Sequence, residues 1–254
     1  MIKTYAMPVS TESWQGMKTE GRPDLRTHEL LNVTLHVPLD AGHSLVTWRN
    51  DCQPNLPWAD IHFEERVGGV PLNPAPSWRE WPWAPSAKRF HDSEEVFDHT
   101  YPERFWPKHA DGDLHKIRNG SPNIGIRFEY GDLMDVVRLL VREPHTRQAF
   151  LPIFFPEDTS PEAKRKPCTI GYHFIVRNHR LHCFYPMRSC DFVRHWADDA
   201  YLAVRLMLWV IEICRNIELQ TEDAMNIRWL NTTLGTLTMH MTSLHVFAND
   251  MRSL

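Results

Sequence analysis

Apolar residues at every second position mark the clearest element of this chain. Ile170, Tyr172, Phe174 and Val176 lie on one alternating face, Arg177-Asn178-His179-Arg180 interrupts, and residues 181–187 return. That pattern predicts a β-hairpin. Residues 30–37, LLNVTLHV, predict a strand from their β-branched content. Residues 58–67, WADIHFEERV, predict a helix that stops at Gly68-Gly69. Residues 131–143 predict an amphipathic helix with Leu133, Val136, Val137, Leu140 and Val141 as its stripe and Pro144 as its end. A strand over 149–154 follows. Residues 200–214 are the most apolar run, expected to be a helix buried on most sides and capped by Asp198 or Asp199 after the turn DFVRHWADD. Residues 234–240 predict a strand, and 243–247 a strand end or turn.

Between these elements lies a Pro- and Trp-rich loop, 71–84, whose prolines rule out a continuing helix and whose aromatics must pack somewhere. Residues 1–26 are polar, with Arg22 and Arg26 read as solvated. No repeat, low-complexity tract or linker divides the 254 residues, so one domain over 1–254 is expected. A 42% hydrophobic content with ten Trp suffices for a large core, and a net charge of −4 argues against a nucleic-acid binder. Five cysteines without CxxC spacing, no apolar leader and no run long enough to span a bilayer predict a cytoplasmic protein without membrane association. His173, His179, His182 and Cys183 crowd the hairpin, but without HExxH or CxxC no metal is expected.

The chemistry sits at the open end of the hairpin. Cys168 precedes the outgoing strand, and Arg188-Ser189 follow the returning one. Antiparallel pairing brings these ends together. A cation beside a thiol favours the nucleophilic thiolate, and Arg with Ser suits a phosphate. On spacing alone, Pro167-Cys168 also reads as a buried small residue and Arg188-Ser189 as a solvated strand edge.

An ordered set of motifs shifts that balance. Pro167-Cys168, then Arg188-Ser189-Cys190-Asp191, with Glu143-Pro144-His145-Thr146-Arg147-Gln148 upstream and Ser243-Leu244-His245-Val246-Phe247 downstream, resembles the thymidylate synthase family over about residues 131–249. The resemblance implies an α+β, thymidylate synthase-like fold: a large mixed sheet with helices packed on one face, in three αβα layers. It implies Cys168 as the nucleophile at carbon 6 of a pyrimidine. Arg188 and Ser189 would bind the phosphate, joined across a homodimer by the partner copy's Arg147. His245 would lie near the sugar 3′-hydroxyl, and Asp191 at the pterin of 5,10-methylenetetrahydrofolate. The 71–84 loop resembles the family's folate-contacting loop, giving Trp78 and Trp81. His99 through Trp106 resembles a segment that places Tyr101 near the thiol, with Pro102 in place of a glycine. Glu65, or its neighbour Glu64, would order water and relay protons.

Eleven residues after Arg188 the family's thymidylate synthases carry an asparagine, and this chain carries Asp199. A carboxylate accepts from the amino group of cytosine but faces the carbonyl of uracil as acceptor against acceptor. A buried mismatch of that kind costs about 1–3 kcal/mol. The resemblance is therefore to the deoxycytidylate hydroxymethylase branch: a one-carbon transferase that makes a 5-hydroxymethyl nucleotide from dCMP or CMP. A cytidylate methyltransferase, a thymidylate synthase acting on dUMP and a non-catalytic nucleotide-binding protein are the alternatives. The chain ends soon after His245, so a folate-covering tail is expected to be short, which favours water over hydride as the final reactant. Thr169, Met187, His195 and Phe247 depart from the family pattern; Phe247 lacks a sugar-contacting hydroxyl, which leaves ribose and deoxyribose both open.

Overall fold

The computed structural model describes residues 15–17, 27–39, 42, 44–87, 96–110, 131–159, 161, 166–220 and 228–253. In chain order these form β1 (Gln15–Met17), β2 (Thr27–Pro38), α1 (Leu45–Cys52), α2 (Trp58–Val67), α3 (Ala84–Ala87), α4 (Tyr101–Phe105), α5 (Leu133–Arg142), β3 (Phe150–Pro152), β4 (Gly171–Arg177), β5 (Arg180–Asp191), α6 (Trp196–Leu219) and β6 (Thr233–Phe247). Arg22 and Arg26 lie outside the described residues. The chain divides into two compact units, Met1–Pro54 with Cys168–Leu254, and Asn55–Pro167. Composition offers no linker because single prolines, Pro54 and Pro167, stand at the changeovers.

The first unit holds a mixed sheet in the order β1-β2-β6-β5-β4. Neighbours pair antiparallel except β5 and β6, which run parallel. Parallel neighbours need a long crossover. Here α6 supplies it and packs on both strands, with α1 against α6. Arg49 Nε donates to Tyr201 Oη across the two helices at 2.9 Å. Tyr201, Ala203, Val204, Met207, Val210 and Cys214 are buried along α6. This sheet with helices is compatible with an α+β chain.

The β4–β5 hairpin closes through Asn178 and His179, both left-handed at φ 52° and 56°. Such a two-residue turn matches the right-handed twist of the strands. Arg177 pairs with Arg180 and His173 with Phe184. Beyond them the pairing slips by one residue, to Thr169 opposite Met187.

The most consequential feature is a shared change of phase. On β5 the buried positions run Leu181, Cys183, Tyr185, Met187 and then Cys190; on β6 they run Leu237, Met239, Met241 and then Leu244 and Val246. Each strand thus turns two successive residues away from the core, Arg188-Ser189 and Thr242-Ser243. On β2, Leu31 is 68% exposed and Asn32 takes a left-handed φ of 59°. The three shifts stand side by side, since Met187 pairs with Met241, Ser189 with Ser243 and Leu31 with Ser243. An extra residue in one strand alone disrupts a ladder; three at one level keep the register intact. The strand expected over 234–240 and the strand end or turn expected over 243–247 are therefore parts of one 15-residue strand.

A separate register shift lies between Leu181 and Cys183 on β5. There Gly235 admits the chain: an added Cβ would stand 2.7 Å from His182 Nδ1 and 2.9 Å from the Leu181 carbonyl oxygen. His182 Nδ1 accepts from Thr236 N at 3.1 Å, so neither neighbour retreats freely. Gly235→Ala is expected to lower stability by about 1–3 kcal/mol, an overpacking cost, read as a lower urea midpoint at unchanged slope.

In the second unit, α5 starts at a reciprocal cap between Asp132 and Asp135 and α4 at one between Thr100 and Glu103. Within the proline-rich loop Pro76–Arg79 forms a 3-10 turn. The strand expected over 149–154 shortens to Phe150–Pro152, where Pro152 removes a ladder donor.

Candidate active site

Backbone pairing sets the position of Cys168. Arg188 N donates to the Cys168 carbonyl at 2.9 Å, and Ile170 N to that of Pro186 at 2.9 Å. Between them Thr169 is fully buried, and its hydroxyl meets Tyr185 Oη at 2.9 Å. Tyr185 in turn stacks on Tyr172 at 4.5 Å. Cys168 itself is exposed, with its Sγ 3.9 Å from Arg188 Nη2. The thiol and the guanidinium that the sequence analysis placed together are therefore neighbours.

Asp199 lies in the first turn of α6, half-buried, while Asp198 is 2% exposed. Neither acid caps the helix, contrary to expectation. The helix starts earlier, with His195 at the cap. Asp191 closes the turn before it: its Oδ1 accepts from Val193 N and Arg194 N, both at 3.1 Å. The two acids then fall where carboxylates complement the positive end of the helix. Cys190 Sγ lies 3.9 Å from Asp199 Oδ2. Burial, and next the Asp199 charge, push the Cys190 thiol well up. It stays protonated, with the Asp191 carbonyl at 3.8 Å and the Asp199 carboxylate at 3.9 Å as its two acceptors.

The shared phase shift turns a polar row onto the outward face. Asp191, His245 and Glu29 stand at one level across β5, β6 and β2. Ser189 Oγ is 3.3 Å from His245 Nδ1, and Ser243 Oγ donates to Glu29 Oε1. Burial holds the His245 imidazole below its usual range, against the nearby Asp191 and Glu29 charges. Burial likewise raises the Asp191 carboxyl, against its bonds from Arg194 and Val193. Asp191 Oδ2 is buried without a hydrogen bond, with Arg194 Nε at 3.8 Å. Arg194 also donates to Asp250 at 2.6 Å and lies 4.4 Å over the Phe247 ring. Glu29 escaped the sequence reading, and Ser243 entered it only as the first residue of the His245 motif, without a role. Nothing local marks Glu29; only strand register puts it beside His245.

The second unit carries the remaining candidates. Glu65 faces inward on α2 and Glu64 is exposed. The Glu65 carboxylate accepts from Ser77 N at 2.7 Å and from the Ser77 hydroxyl, with His62 Nδ1 at 3.6 Å. His62 also lies 2.9 Å from Arg66 through Nε2 and 6.1 Å from the Tyr101 ring, over which Arg66 stacks at 4.0 Å. Trp78 meets Phe97 edge-on at 5.6 Å, and Trp81 packs near Trp58 at 6.2 Å. Arg147 is exposed. The sequence reading passed over His62, whose signal is its place one helical turn before Arg66.

Burial pushes the Glu65 carboxyl up, but the hydrogen bonds from His62 and Ser77 outweigh it and hold the group below 4.5. A depressed carboxyl stabilises above its unfolded pKa, and the gain is lost as pH falls through the folded value. Glu65→Gln is expected to cost about 1–3 kcal/mol at pH 7, the worth of hydrogen bonds to a charged group. That gap should narrow at pH 3.5, as urea midpoints at the two pH values would record.

Among the described residues no helix is long and apolar enough to cross a membrane, and no group of three or more His, Cys, Asp or Glu is disposed to hold a metal ion. Compared with models of protein families and with curated proteins, the chain matches none.

Proposed function

We propose that this chain transfers a one-carbon unit to carbon 5 of a cytidine monophosphate and releases the 5-hydroxymethyl nucleotide. The observation that carries the reading is the Cys168 thiol 3.9 Å from the Arg188 guanidinium, with the Asp199 carboxylate 3.9 Å from Cys190 at the same end of β5. In this reading the chain is a thymidylate synthase-like enzyme in three layers, acting as one catalytic domain. Its five cysteines, none in a disulfide, suit the reducing cytoplasm.

Cys168 adds as thiolate to carbon 6 of the ring, and its electron pair reaches carbon 5 as an enamine. Arg188 and Ser189 hold the phosphate, and Asp199 accepts from the exocyclic amino group. When bound, 5,10-methylenetetrahydrofolate supplies the electrophilic carbon; after carbon 5 loses its proton, water completes the hydroxymethyl group and tetrahydrofolate is the second product. Expulsion of Cys168 restores the thiolate, so the enzyme ends unchanged. Asp191 Oδ2, buried and still able to accept, fits an N–H of the pterin ring. The roles that the family resemblance implies for Glu65, Tyr101, Trp78 and Trp81, all in the second unit, belong to the same proposal.

A homodimer with Arg147 reaching the partner copy's phosphate belongs to the same reading. It is supported by the outward sheet face, where Phe184 is 43% exposed and Thr34 and His36 are open. The decisive experiment is mass spectrometry of dCMP, CMP and dUMP after incubation with methylenetetrahydrofolate. A gain of one hydroxymethyl group on a cytosine nucleotide supports the proposal; a methyl product or turnover of dUMP alone rejects it.

A further inference from the structure

The row beside the thiol contains a group that the reaction above leaves unused. Glu29 stands opposite His245 in the β2–β6 ladder, and its Oε1 accepts from Ser243. His245 in turn meets Ser189, next in sequence to Arg188. Side chains directly opposite in an antiparallel pair have Cβ atoms about 4.5–5.5 Å apart. Glu29 and His245 therefore face one small volume beside the phosphate-binding pair.

We propose that Glu29 reads the sugar of the nucleotide and makes the substrate a ribonucleotide, CMP rather than dCMP. The inference rests on the cytidylate reading given above. A nucleoside monophosphate holding its base at Cys168 and Asp199 and its phosphate at Arg188 and Ser189 has its sugar next to Ser189, where His245 and Glu29 lie. An ionised carboxylate only accepts hydrogen bonds, and each oxygen offers two lone-pair sites, so with Ser243 on Oε1 the Glu29 Oε2 still takes two donors. The cis-diol of ribose offers two O–H groups at that span, as where an acidic residue binds the ribose 2′-hydroxyl in dinucleotide folds. Deoxyribose offers one and leaves one of those sites unmet. Held low by burial, the His245 imidazole stays neutral and adds no cation to draw the carboxylate away. The ring at Phe247, 5.7 Å from His245 and edge-on, brings no hydroxyl to take over the task.

The test compares kcat/KM for CMP and dCMP, by carbon 5 proton release, in the wild type and Glu29→Gln. Glutamine keeps the shape and the acceptor toward Ser243 but replaces one acceptor oxygen by a donor. The wild type is expected to favour CMP by roughly ten- to a hundred-fold, the effect of one unmet buried partner. Glu29→Gln should bring the ratio to within about three-fold of one, through KM and mainly by loss on CMP, with dCMP little changed. A wild-type preference for dCMP, or an unchanged ratio in the variant, overturns the role of Glu29 alone. Turnover of neither nucleotide by the wild type overturns the cytidylate reading and this inference with it. Should Glu29→Gln misfold, wild-type ratios for 2′-deoxy- and 3′-deoxy-CMP decide: a carboxylate bridging both hydroxyls penalises each loss, and a penalty for neither refutes it.

Discussion

Cys168→Ala is expected to abolish release of the carbon 5 proton from a cytidine monophosphate while leaving the fold intact. Loss of the atom that forms the covalent bond removes a whole reaction path. Comparable nucleophile deletions cost roughly 10⁴–10⁶-fold in kcat. Stability should barely change, because the side chain is exposed and its segment is anchored elsewhere. The anchors are the Arg188 and Ile170 backbone bonds and the buried Thr169 hydroxyl on Tyr185. Exposed substitutions of this kind stay within about ±0.5 kcal/mol. The measurement is tritium release from carbon 5-labelled substrate with folate present, paired with a thermal melt. Equal release by the variant and the wild type would remove the nucleophile from the account. Loss of release with a lowered melting temperature would point to a structural role instead.

Asp199→Asn is expected to shift the choice of base toward uracil. Asparagine offers both a donor and an acceptor, the pattern that the carbonyl and ring N–H of uracil require. The wild-type carboxylate is mismatched to the uracil carbonyl, and asparagine relieves that mismatch. The mismatch costs about 1–3 kcal/mol, so its relief shifts the cytosine-to-uracil ratio toward uracil by roughly five-fold to a hundred-and-fifty-fold. Cys190 still has an acceptor to meet at 3.9 Å, since the amide oxygen replaces a carboxylate oxygen. The fold should therefore tolerate the change. Competing dUMP and dCMP in one reaction, with products separated by mass, measures the ratio directly. An unaltered ratio would show that the acid at 199 does not read the base.

Periodicity exposed the hairpin because its pattern is local. Tyr172, Phe174 and Val176 alternate in one face, and the polar turn joins strands that are neighbours in sequence. The same locality announced α5, whose stripe and following proline are contiguous. Chain position alone could not give the pairing at the open end. Counting from Arg177 opposite Arg180 puts Cys168 across from Ser189, whereas the one-residue slip puts it across from Arg188. The first turn of α6 shows a similar limit. Adjacent acids suggest a cap, but Asp191 closes the turn and lets the helix begin sooner.

By itself the sequence determined which residues can do chemistry and which short stretches can pair, because both depend on side-chain type and neighbouring positions. Tertiary structure alone decided that Arg188-Ser189, Thr242-Ser243 and Leu31-Asn32 change phase together, and that Glu29 meets Ser243 from 214 positions away. The reason is physical: the register of β6 against β2 and β5 is set by burying one face of the sheet beneath α6, and no local pattern encodes which distant residues that burial aligns.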